Sequence, residues 1–315
     1  MEKKNRICAY KGDPVVPGVN KKKNGINFAV EVPGDTEASL VLYRKGAAEP
    51  ETEFPFTEEY RTGRMCAMLV TGLRPERYEY NFRIDGKIVQ DPFACVIRGR
   101  EKFGAPLSKD EHEVRCAFLS EKEYDWEGDT APEIPYSEMI LYKIHVRGYT
   151  RQAKLALRKR GTFAGLTEMI PYWKELGINA VELMPAYEFQ ECVQADHAVN
   201  LAVRKKSDDR INYWGYTRGF YFAPKESYCA TKEPDREFRD MIRALHKAGI
   251  ECIMEMYFPK GTPSLQMIRS LWFWKLYYHV DGFHLLGDGV QQDVIERDPI
   301  LYGTKKLFSN VSGEA

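Results

Sequence analysis

Carboxylates and imidazoles are concentrated around one apolar segment near the end of the sequence. Asp281 precedes the run of residues 282–286, His284 lies within it, and Asp288 follows it. Two carboxyl groups held close together can act as nucleophile and acid/base in one reaction. At the start of a predicted strand Asp281 is expected to cap or pair, whereas Asp288 is expected to be a solvated loop carboxylate. Glu314, near the end of the sequence, is a further carboxylate.

The histidines offer a second kind of chemistry. His279 and His284 stand at either end of the same segment, but no acidic residue stands at metal-ligand spacing from them, so no metal site is predicted. His145 interrupts an apolar run and is interpreted either as a hydrogen-bonded core histidine or as a substrate ligand. No glycine-rich phosphate-binding string follows any predicted strand, so no nucleotide or other cofactor is expected.

Three aromatic residues follow one another closely in a predicted loop, namely Tyr213, Trp214 and Tyr216. Flat aromatic rings can stack on the apolar face of a sugar. The same residues could instead pack a long loop against neighbouring elements. Both interpretations stay open at this point.

Two patterns of apolar residues divide the chain. Residues 1–125 contain short alternating runs separated by turns, which predict an antiparallel β-sandwich. The glycine- and charge-rich passage after residue 94, to about residue 134, is interpreted as a linker. From 135 to 315 strands alternate with helices, which is typical of a parallel sheet with right-handed crossovers. Four such strands are predicted, with a possible fifth at 305–309. A closed (β/α) barrel has eight strands, so this part is predicted to be the first half of one.

The predicted elements of the second part have definite bounds. Buried strands are expected at 139–146, 178–184, 250–258 and 280–286, and helices at 235–248 and 264–278. Apolar residues recur at helical spacing from Leu166 to Leu176, and Pro171 marks a kink or a restart in that stretch. Gly177 is expected to cap its end.

Composition excludes several classes of function. The 315 residues carry 46 basic and 46 acidic side chains, a balance that does not favour nucleic acid or an anionic membrane and that suits a neutral ligand such as a sugar. The seven cysteines are scattered without a Cys-x-x-Cys pair, which indicates reduced thiols and a cytoplasmic location. No window approaches ~18 apolar residues, so no membrane span is predicted.

Several motifs in a fixed order resemble glycoside hydrolase family 13, the group of α-amylases, pullulanases and isoamylases. The segment from Asp281 to Leu286 is similar to the fourth barrel strand of that family, which reads Asp-Gly-Phe-Arg-Phe-Asp. Residues 141–150 and 161–166 resemble the first strand and the start of the first helix. Residues 180–185 resemble the second strand, and 212–216 with 222–225 the substrate loop. The resemblance implies a debranching-type enzyme acting on an α-glucan such as glycogen or starch.

The chain departs from the family pattern at its catalytic positions. Leu286 stands where the family has its aspartate nucleophile, and His284 stands where an arginine orients it. On the third strand Glu255, Pro259 and Lys260 replace the family's Asp, Asn and His. A leucine cannot attack an anomeric carbon, so the resemblance combined with these changes predicts a catalytically inactive protein.

The first part of the chain carries a second resemblance. Residues 26–30, 78–80, 84–86 and 91–94 are similar to the starch-binding sandwich of carbohydrate-binding module family 48, which precedes the barrel in debranching enzymes. No tryptophan occurs before Trp126. A glucan-binding module and a packing appendage are therefore both retained as interpretations.

Three functional hypotheses follow. The first is a noncatalytic protein that binds an α-glucan or accompanies active glycogen-metabolising enzymes. The second is an active α-glucan hydrolase in which displaced carboxylates, Asp288 or Glu314, do the work. The third is a truncated gene remnant. A half barrel would expose a sheet edge, which predicts self-association of the 315-residue chain through that edge.

Overall fold

The computed structural model describes residues 6–106, 110–120, 122–192 and 211–309, so Glu314 lies outside the described residues. The chain forms two compact units: Met1–Gly99 with Ser108–Glu123, and Arg100–Leu107 with Tyr124–Ala315. In the described part of the chain, no helix has the length and apolar character needed to cross a membrane.

The first unit is built from short strands. Its alternating sequence favours strands because every second side chain of a strand points to the same face. Within the described residues these are β1 (Cys8–Lys11), β2 (Gly18–Lys22), β3 (Gly25–Glu31), β4 (Ala38–Arg44), β5 (Thr52–Pro55), β6 (Arg61–Thr62), β7 (Met65–Thr71), β8 (Tyr78–Ile84), β9 (Lys87–Val89), β10 (Val96–Arg98) and β11 (Arg115–Ala117).

Two antiparallel sheets form this unit. One has the order β1-β7-β3-β2 with β6 beside β7, and the other the order β10-β11-β8-β4-β5 with β9 beside β8. The ring of Phe28 on β3 meets that of Tyr80 on β8 edge to face at 5.2 Å, so the two sheets share a core. The passage expected to be a linker contributes β10 and β11 to the second sheet, so that expectation was wrong for these residues.

The second unit alternates strands and helices. Its strands are β12 (Leu141–Ile144), β13 (Ala180–Leu183), β14 (Tyr187–Phe189), β15 (Gly219–Pro224), β16 (Glu251–Tyr257), β17 (Gly282–Leu286) and β18 (Lys305–Ser309). Its helices are α1 (Val146–Thr150), α2 (Phe163–Thr167), α3 (Ile170–Glu175), α4 (Pro234–Lys247), α5 (Ser264–Tyr278) and α6 (Gln292–Glu296).

Five parallel strands form the main sheet of this unit, in the order β12-β13-β16-β17-β18. Each strand in this order pairs with the next one. Ile253 on β16 lies opposite Gly282 on β17, and Gly282 lies opposite Lys305 on β18. The predicted strands, including the fifth at 305–309, are confirmed to within a few residues. Strands buried on both faces need continuous apolar runs, and such runs stand out in a sequence.

The helix boundaries follow local rules. Pro171 begins a new helix, α3, rather than kinking one, because proline suits the first turn and lacks the amide hydrogen that an interior position needs. Gly249 follows α4 with φ +75°, a left-handed conformation that glycine adopts without strain. At the end of α5 the same conformation is taken by His279, with φ 56°.

Between β13 and α4 the chain forms the antiparallel hairpin β14–β15. Residues 222–225, expected to belong to a substrate loop, instead form the end of β15 and the residue after it. The aromatic residues 213–216 lie just before β15. The hairpin therefore fixes one end of the segment that carries the predicted aromatic site.

Candidate functional site

A group of charged side chains lies on one face of the parallel sheet, toward the carboxyl ends of its strands. We refer to Lys143, Glu182, Glu255, His284 and Ser309, one from each of the five strands, as the strand cluster. Neighbouring parallel strands bring these residues together, because Lys143 lies opposite Glu182 and Glu255 lies opposite His284. Glu255 is fully buried and Glu182 nearly so.

The residues of the strand cluster are linked to one another by hydrogen bonds and ion pairs. His284 Nδ1 donates to Glu182 Oε1 at 2.7 Å, and its Nε2 lies 2.7 Å from Ser309 Oγ. The ammonium of Lys143 contacts Glu255 Oε1 and lies 3.5 Å from Glu182 Oε1. Tyr216 from the preceding loop donates its hydroxyl to Glu255 Oε2 at 2.7 Å.

The pKa values of the two glutamates are shifted in opposite directions. Burial raises the pKa of Glu255, and the adjacent Glu182 carboxylate raises it further, against the opposing effect of Lys143. Burial would also raise the pKa of Glu182, but the hydrogen bond from His284, the contact with Glu255 and the charge of Lys143 bring it below its ordinary value. One proton is therefore held preferentially on Glu255 beside an ionised Glu182.

Three members of the strand cluster could in principle hold a metal ion. Ligand atoms of Glu182, Glu255 and His284 all lie within 4.8 Å of one another, and oxygen and imidazole ligands suit zinc. The ammonium of Lys143 already supplies a positive charge next to both carboxylates. Residue spacing alone predicted no acidic partner for His284, whereas the adjacent strands supply two, Glu182 and Glu255.

The geometry of this carboxyl pair does not suit glycoside hydrolysis. The ligand oxygens of Glu182 and Glu255 lie within 4.8 Å, and a lysine and a histidine contact them directly. Retaining enzymes hold their two carboxyl groups roughly 5 to 5.5 Å apart, and inverting ones roughly 6.5 to 9.5 Å, so that the sugar or a water fits between. Here the protein's own side chains take that position.

The residues at or near the family's catalytic positions differ in burial. Leu286 is only 3% exposed, at the end of β17 opposite Tyr257 and Ser309. Asp288 is exposed in the turn that follows, as a solvated loop carboxylate would be. Lys260, at the position of the family's histidine, is also exposed.

Asp281 has a structural role at the opposite end of the sheet. Its Oδ2 accepts from the amide of Cys252 at 2.7 Å and from His246 Nε2 at 3.0 Å. The prediction that Asp281 caps or pairs at the strand start is confirmed. It lies on the far side from the carboxyl ends of the strands because it precedes β17.

His145 is buried at the carboxyl end of β12, and both of its ring nitrogens have partners. Nδ1 accepts from the amide of Gly148 at 2.9 Å, while Nε2 lies 2.9 Å from the carbonyl oxygen of Tyr213. Burial lowers the pKa of His145. A neutral ring that donates from Nε2 satisfies both bonds, so His145 supports the backbone of the aromatic segment.

Two of the three candidate aromatic residues adjoin each other. The ring of Tyr213 stacks on His145 at 4.4 Å and meets Trp214 edge to face at 5.3 Å. Trp214 is 53% exposed, so about half of this residue is accessible to solvent. Tyr216 is instead tied to Glu255, and burial together with that carboxylate raises the pKa of Tyr216.

A buried ionic network fixes the hairpin next to these aromatics. Lys225 is completely buried, and its Nζ lies 3.0 Å from Glu188 Oε1 and 2.7 Å from Glu191 Oε1. The guanidinium of Arg100 pairs with the same two glutamates. Lys225 also lies over the ring of Phe189 at 3.8 Å. Such a network holds its partners in one geometry, since leaving any buried charge unpaired is costly.

Sequence reasoning did not select Lys143 or Glu182 as site residues. Both stand inside apolar strands, and charged residues in a buried strand are uncommon unless they are paired. That unusual placement was the available signal. The partners themselves depend on which residues of adjacent strands lie opposite each other.

The chain has a fold similar to part of solved pullulanases. The pullulanase SAP of group B Streptococcus, solved in complex with maltotetraose, superposes with a TM-score of 0.68 over 95% of this chain and 46% of its own, at 17% identity. At this level of identity the likeness concerns the fold.

Comparisons of the amino-acid sequence find related proteins of starch and glycogen metabolism. The chain is 30% identical over 282 residues to isoamylase 1 of Arabidopsis thaliana, covering 81% of this chain and 35% of that protein. It is 31% identical over 281 residues to the glycogen operon protein GlgX homolog of Haemophilus influenzae, covering 81% of this chain and 40% of that protein. No model of a protein family matches the chain.

These relatives and structural neighbours support the debranching group of glycoside hydrolase family 13 as the family of this chain. The chain spans between about a third and two fifths of the length of the relatives it matches.

Proposed function

We propose that this protein binds an α-glucan without hydrolysing it, and that it consists of a starch-binding-type sandwich followed by the first half of a (β/α) barrel. The observation that carries the proposal is the state of the strand cluster. Its carboxylates are paired with Lys143 and His284, and the position of the family's nucleophile is filled by the buried Leu286.

Binding is supported by the exposed indole of Trp214. It is held by Tyr213 and His145, and the neighbouring ionic network of Lys225 fixes the hairpin. Aromatic rings presented by rigid elements stack on sugar faces at low entropic cost. The group B Streptococcus neighbour was solved with maltotetraose, which supports a malto-oligosaccharide as the ligand class.

The first unit offers less to a glucan. Among its described residues, Tyr10 is the aromatic side chain that is more than a third exposed. The flat aromatic surface expected of a binding module is therefore small. We infer that the aromatic segment of the second unit does the binding.

Hydrolysis is tested by incubating the 315-residue chain with pullulan and with glycogen and measuring reducing ends. We expect no release above a buffer blank, because the buried Leu286 occupies the position of the family's nucleophile and Lys143 and His284 contact the carboxylates of the strand cluster. Turnover abolished by Asp288→Asn or Glu314→Gln would instead establish the alternative, an active debranching-type hydrolase that uses displaced carboxylates.

Binding is tested by affinity electrophoresis in gels that contain glycogen. The unmodified chain is expected to be retarded, and Trp214→Ala to migrate as in a gel without glycogen. Tyr172→Ala is the matched control, since Tyr172 is an exposed aromatic residue on α3. Equal retardation of both variants would show that the glucan is bound elsewhere, and no retardation of the unmodified chain would refute the binding function.

A further inference from the structure

A basic stretch of the chain follows β12. Residues 147–160 include six lysines and arginines and no acidic residue, in a chain with equal numbers of basic and acidic side chains. Lys159 pairs with Glu168, and Arg160 donates to the carbonyl oxygen of Leu155. The other four basic side chains have no hydrogen bond or ion pair with any residue that the structure describes: Arg147, Arg151, Lys154 and Arg158.

Two of these arginines form a pair on α1. Arg147 and Arg151 are four positions apart, which places their side chains on one side of the helix. Burial lowers the pKa of Arg147, and the charge of Arg151 lowers it further. Glu191 acts in the opposite sense, but it is already paired with Lys225 and Arg100. Within the described part of the chain, the arginine pair therefore has no counter-ion of its own.

The arginine pair adjoins the aromatic segment, and both belong to the second unit. The guanidinium of Arg147 lies over the ring of Phe103 at 4.6 Å, and Phe103 meets Tyr213 edge to face at 5.6 Å. Tyr213 in turn meets Trp214 at 5.3 Å. Gly148 lies so close to this segment that a Cβ there would be 3.0 Å from the hydroxyl oxygen of Tyr213. Two aromatic rings therefore separate Arg147 from the indole of Trp214.

An unpaired pair of guanidinium groups beside a sugar-binding aromatic ring suits an anion that is attached to a sugar. A neutral glucan becomes anionic when one of its hydroxyl groups is esterified with phosphate, which adds a charge of about −1.5 to −2. Guanidinium groups present paired N–H donors that match phosphate oxygens, and such hydrogen bonds between ions are stronger than neutral ones. A bound phosphate would also relieve the repulsion between Arg147 and Arg151.

We propose that the aromatic segment and the arginine pair together bind an α-glucan that carries a phosphate monoester. A sugar ring stacks on Trp214, and the phosphate lies between Arg147 and Arg151. Arg147 is partly buried against Phe103, which fixes its orientation, and the exposed Arg151 supplies the second positive charge. This inference rests on the proposed glucan-binding function and narrows its substrate.

Isothermal titration calorimetry on the 315-residue chain tests the inference. The probes are maltotetraose, maltotetraose phosphorylated on a primary hydroxyl group, inorganic phosphate and polyglutamate. The phosphorylated tetrasaccharide is expected to bind about tenfold more tightly than maltotetraose, because the arginines add charge-assisted hydrogen bonds. Inorganic phosphate is expected to bind about tenfold more weakly than the phosphorylated tetrasaccharide, since it makes no contact with Trp214.

Variants locate the anion. Arg151→Gln is expected to remove most of the preference for the phosphorylated tetrasaccharide and to leave the affinity for maltotetraose unchanged. Arg147→Lys keeps the charge but loses the paired donors, and it should lose part of the preference. Lys247→Gln is the matched control. Lys247 is exposed in the last turn of α4, just before β16 begins, and its replacement removes one positive charge at the opposite end of the sheet.

The outcomes separate this inference from the function on which it rests. Equal affinity for the two tetrasaccharides, or an equal loss of preference in Lys247→Gln and Arg151→Gln, would overturn the inference and leave the glucan-binding function in place. If neither tetrasaccharide binds, both are refuted. Binding of inorganic phosphate as tight as that of the phosphorylated tetrasaccharide would show a site for a free anion. Tighter binding of polyglutamate would show a surface for an acidic protein, and either result overturns the inference.

Discussion

At the scale of single residues, this site departs from the family pattern at several positions. Leu286 stands at the position of the nucleophile, His284 at that of the arginine beside it, and Lys260 at that of the histidine on the third strand. We expect Leu286→Asp alone to give no hydrolysis of pullulan or glycogen. The new carboxyl group would be buried, where even its neutral form costs roughly 1–3 kcal/mol without a partner, and both nitrogens of His284 are already engaged. Reducing-end assays and urea unfolding of Leu286→Asp and the control Leu286→Asn test this. Activity from the aspartate variant would mean that the remainder of a catalytic site is intact.

The proton on Glu255 predicts a pH dependence of stability. Because the folded pKa of Glu255 is raised, its contribution to stability is fully present below the ordinary value of 4.5 and is lost as the pH rises through the folded value. Glutamine mimics the protonated form. Urea unfolding should therefore show that Glu255→Gln gains stability relative to the unmodified chain between pH 4.5 and neutral pH. Glu175→Gln, at an exposed position on α3, should show no such trend. If the free energy of unfolding of both variants depends on pH in the same way, Glu255 does not hold the proton.

At the scale of elements, the sequence predicted the strands and the long helices of the second unit well. Continuous apolar runs define β16 and β17, and amphipathic spacing defines α4, on which Phe238, Ile242 and Leu245 are buried as expected. The strand cluster was not predicted, since the meeting of Glu182 with His284 depends on the register of separate strands. The linker prediction was wrong at β10 and β11 because each of these strands is only three residues long, which is too short to show a periodic pattern in the sequence.

One helix is joined to the sheet by a buried charge. His246 on α4 lies between Asp129, at 2.9 Å from its Nδ1, and Asp281, at 3.0 Å from its Nε2. Burial alone would lower the pKa of His246, but hydrogen bonds to the two carboxylates raise it. The imidazolium therefore stabilises the fold fully below pH 6.5, and this contribution is lost as the pH rises through the raised value.

We accordingly expect His246→Gln to destabilise the second unit by about 3 kcal/mol at pH 6, since removing one partner leaves buried carboxylates uncompensated. The loss should shrink at pH 9. His279→Asn is the control: His279 also contacts Asp129 at 2.9 Å, but it is one third exposed, and asparagine tolerates its left-handed backbone. Urea unfolding midpoints of both variants and of the unmodified chain, measured at both pH values, test this prediction. A pH-independent loss would show that His246 acts through packing alone.

At the scale of the whole molecule, the two outer strands of the parallel sheet lead to a prediction of self-association. Among the described residues β12 pairs only with β13, and β18 pairs only with β17, so each has one side without a strand neighbour. Unpaired backbone donors and acceptors along such an edge are a template for pairing with another chain. The side chains of β18 are all partly exposed, including Leu307 and Phe308.

We therefore expect the 315-residue chain to self-associate in a concentration-dependent way, as measured by size-exclusion chromatography with light scattering. Phe308→Lys should weaken this association, because a charge on an edge strand opposes strand pairing through repulsion and the cost of desolvation. Leu276→Lys supplies the comparison, since Leu276 is exposed on α5 and lies outside the sheet. If the unmodified chain remains a monomer at every concentration, or if both lysine variants dissociate alike, the edge of β18 is not the contact, and the sheet must be protected by a means other than pairing.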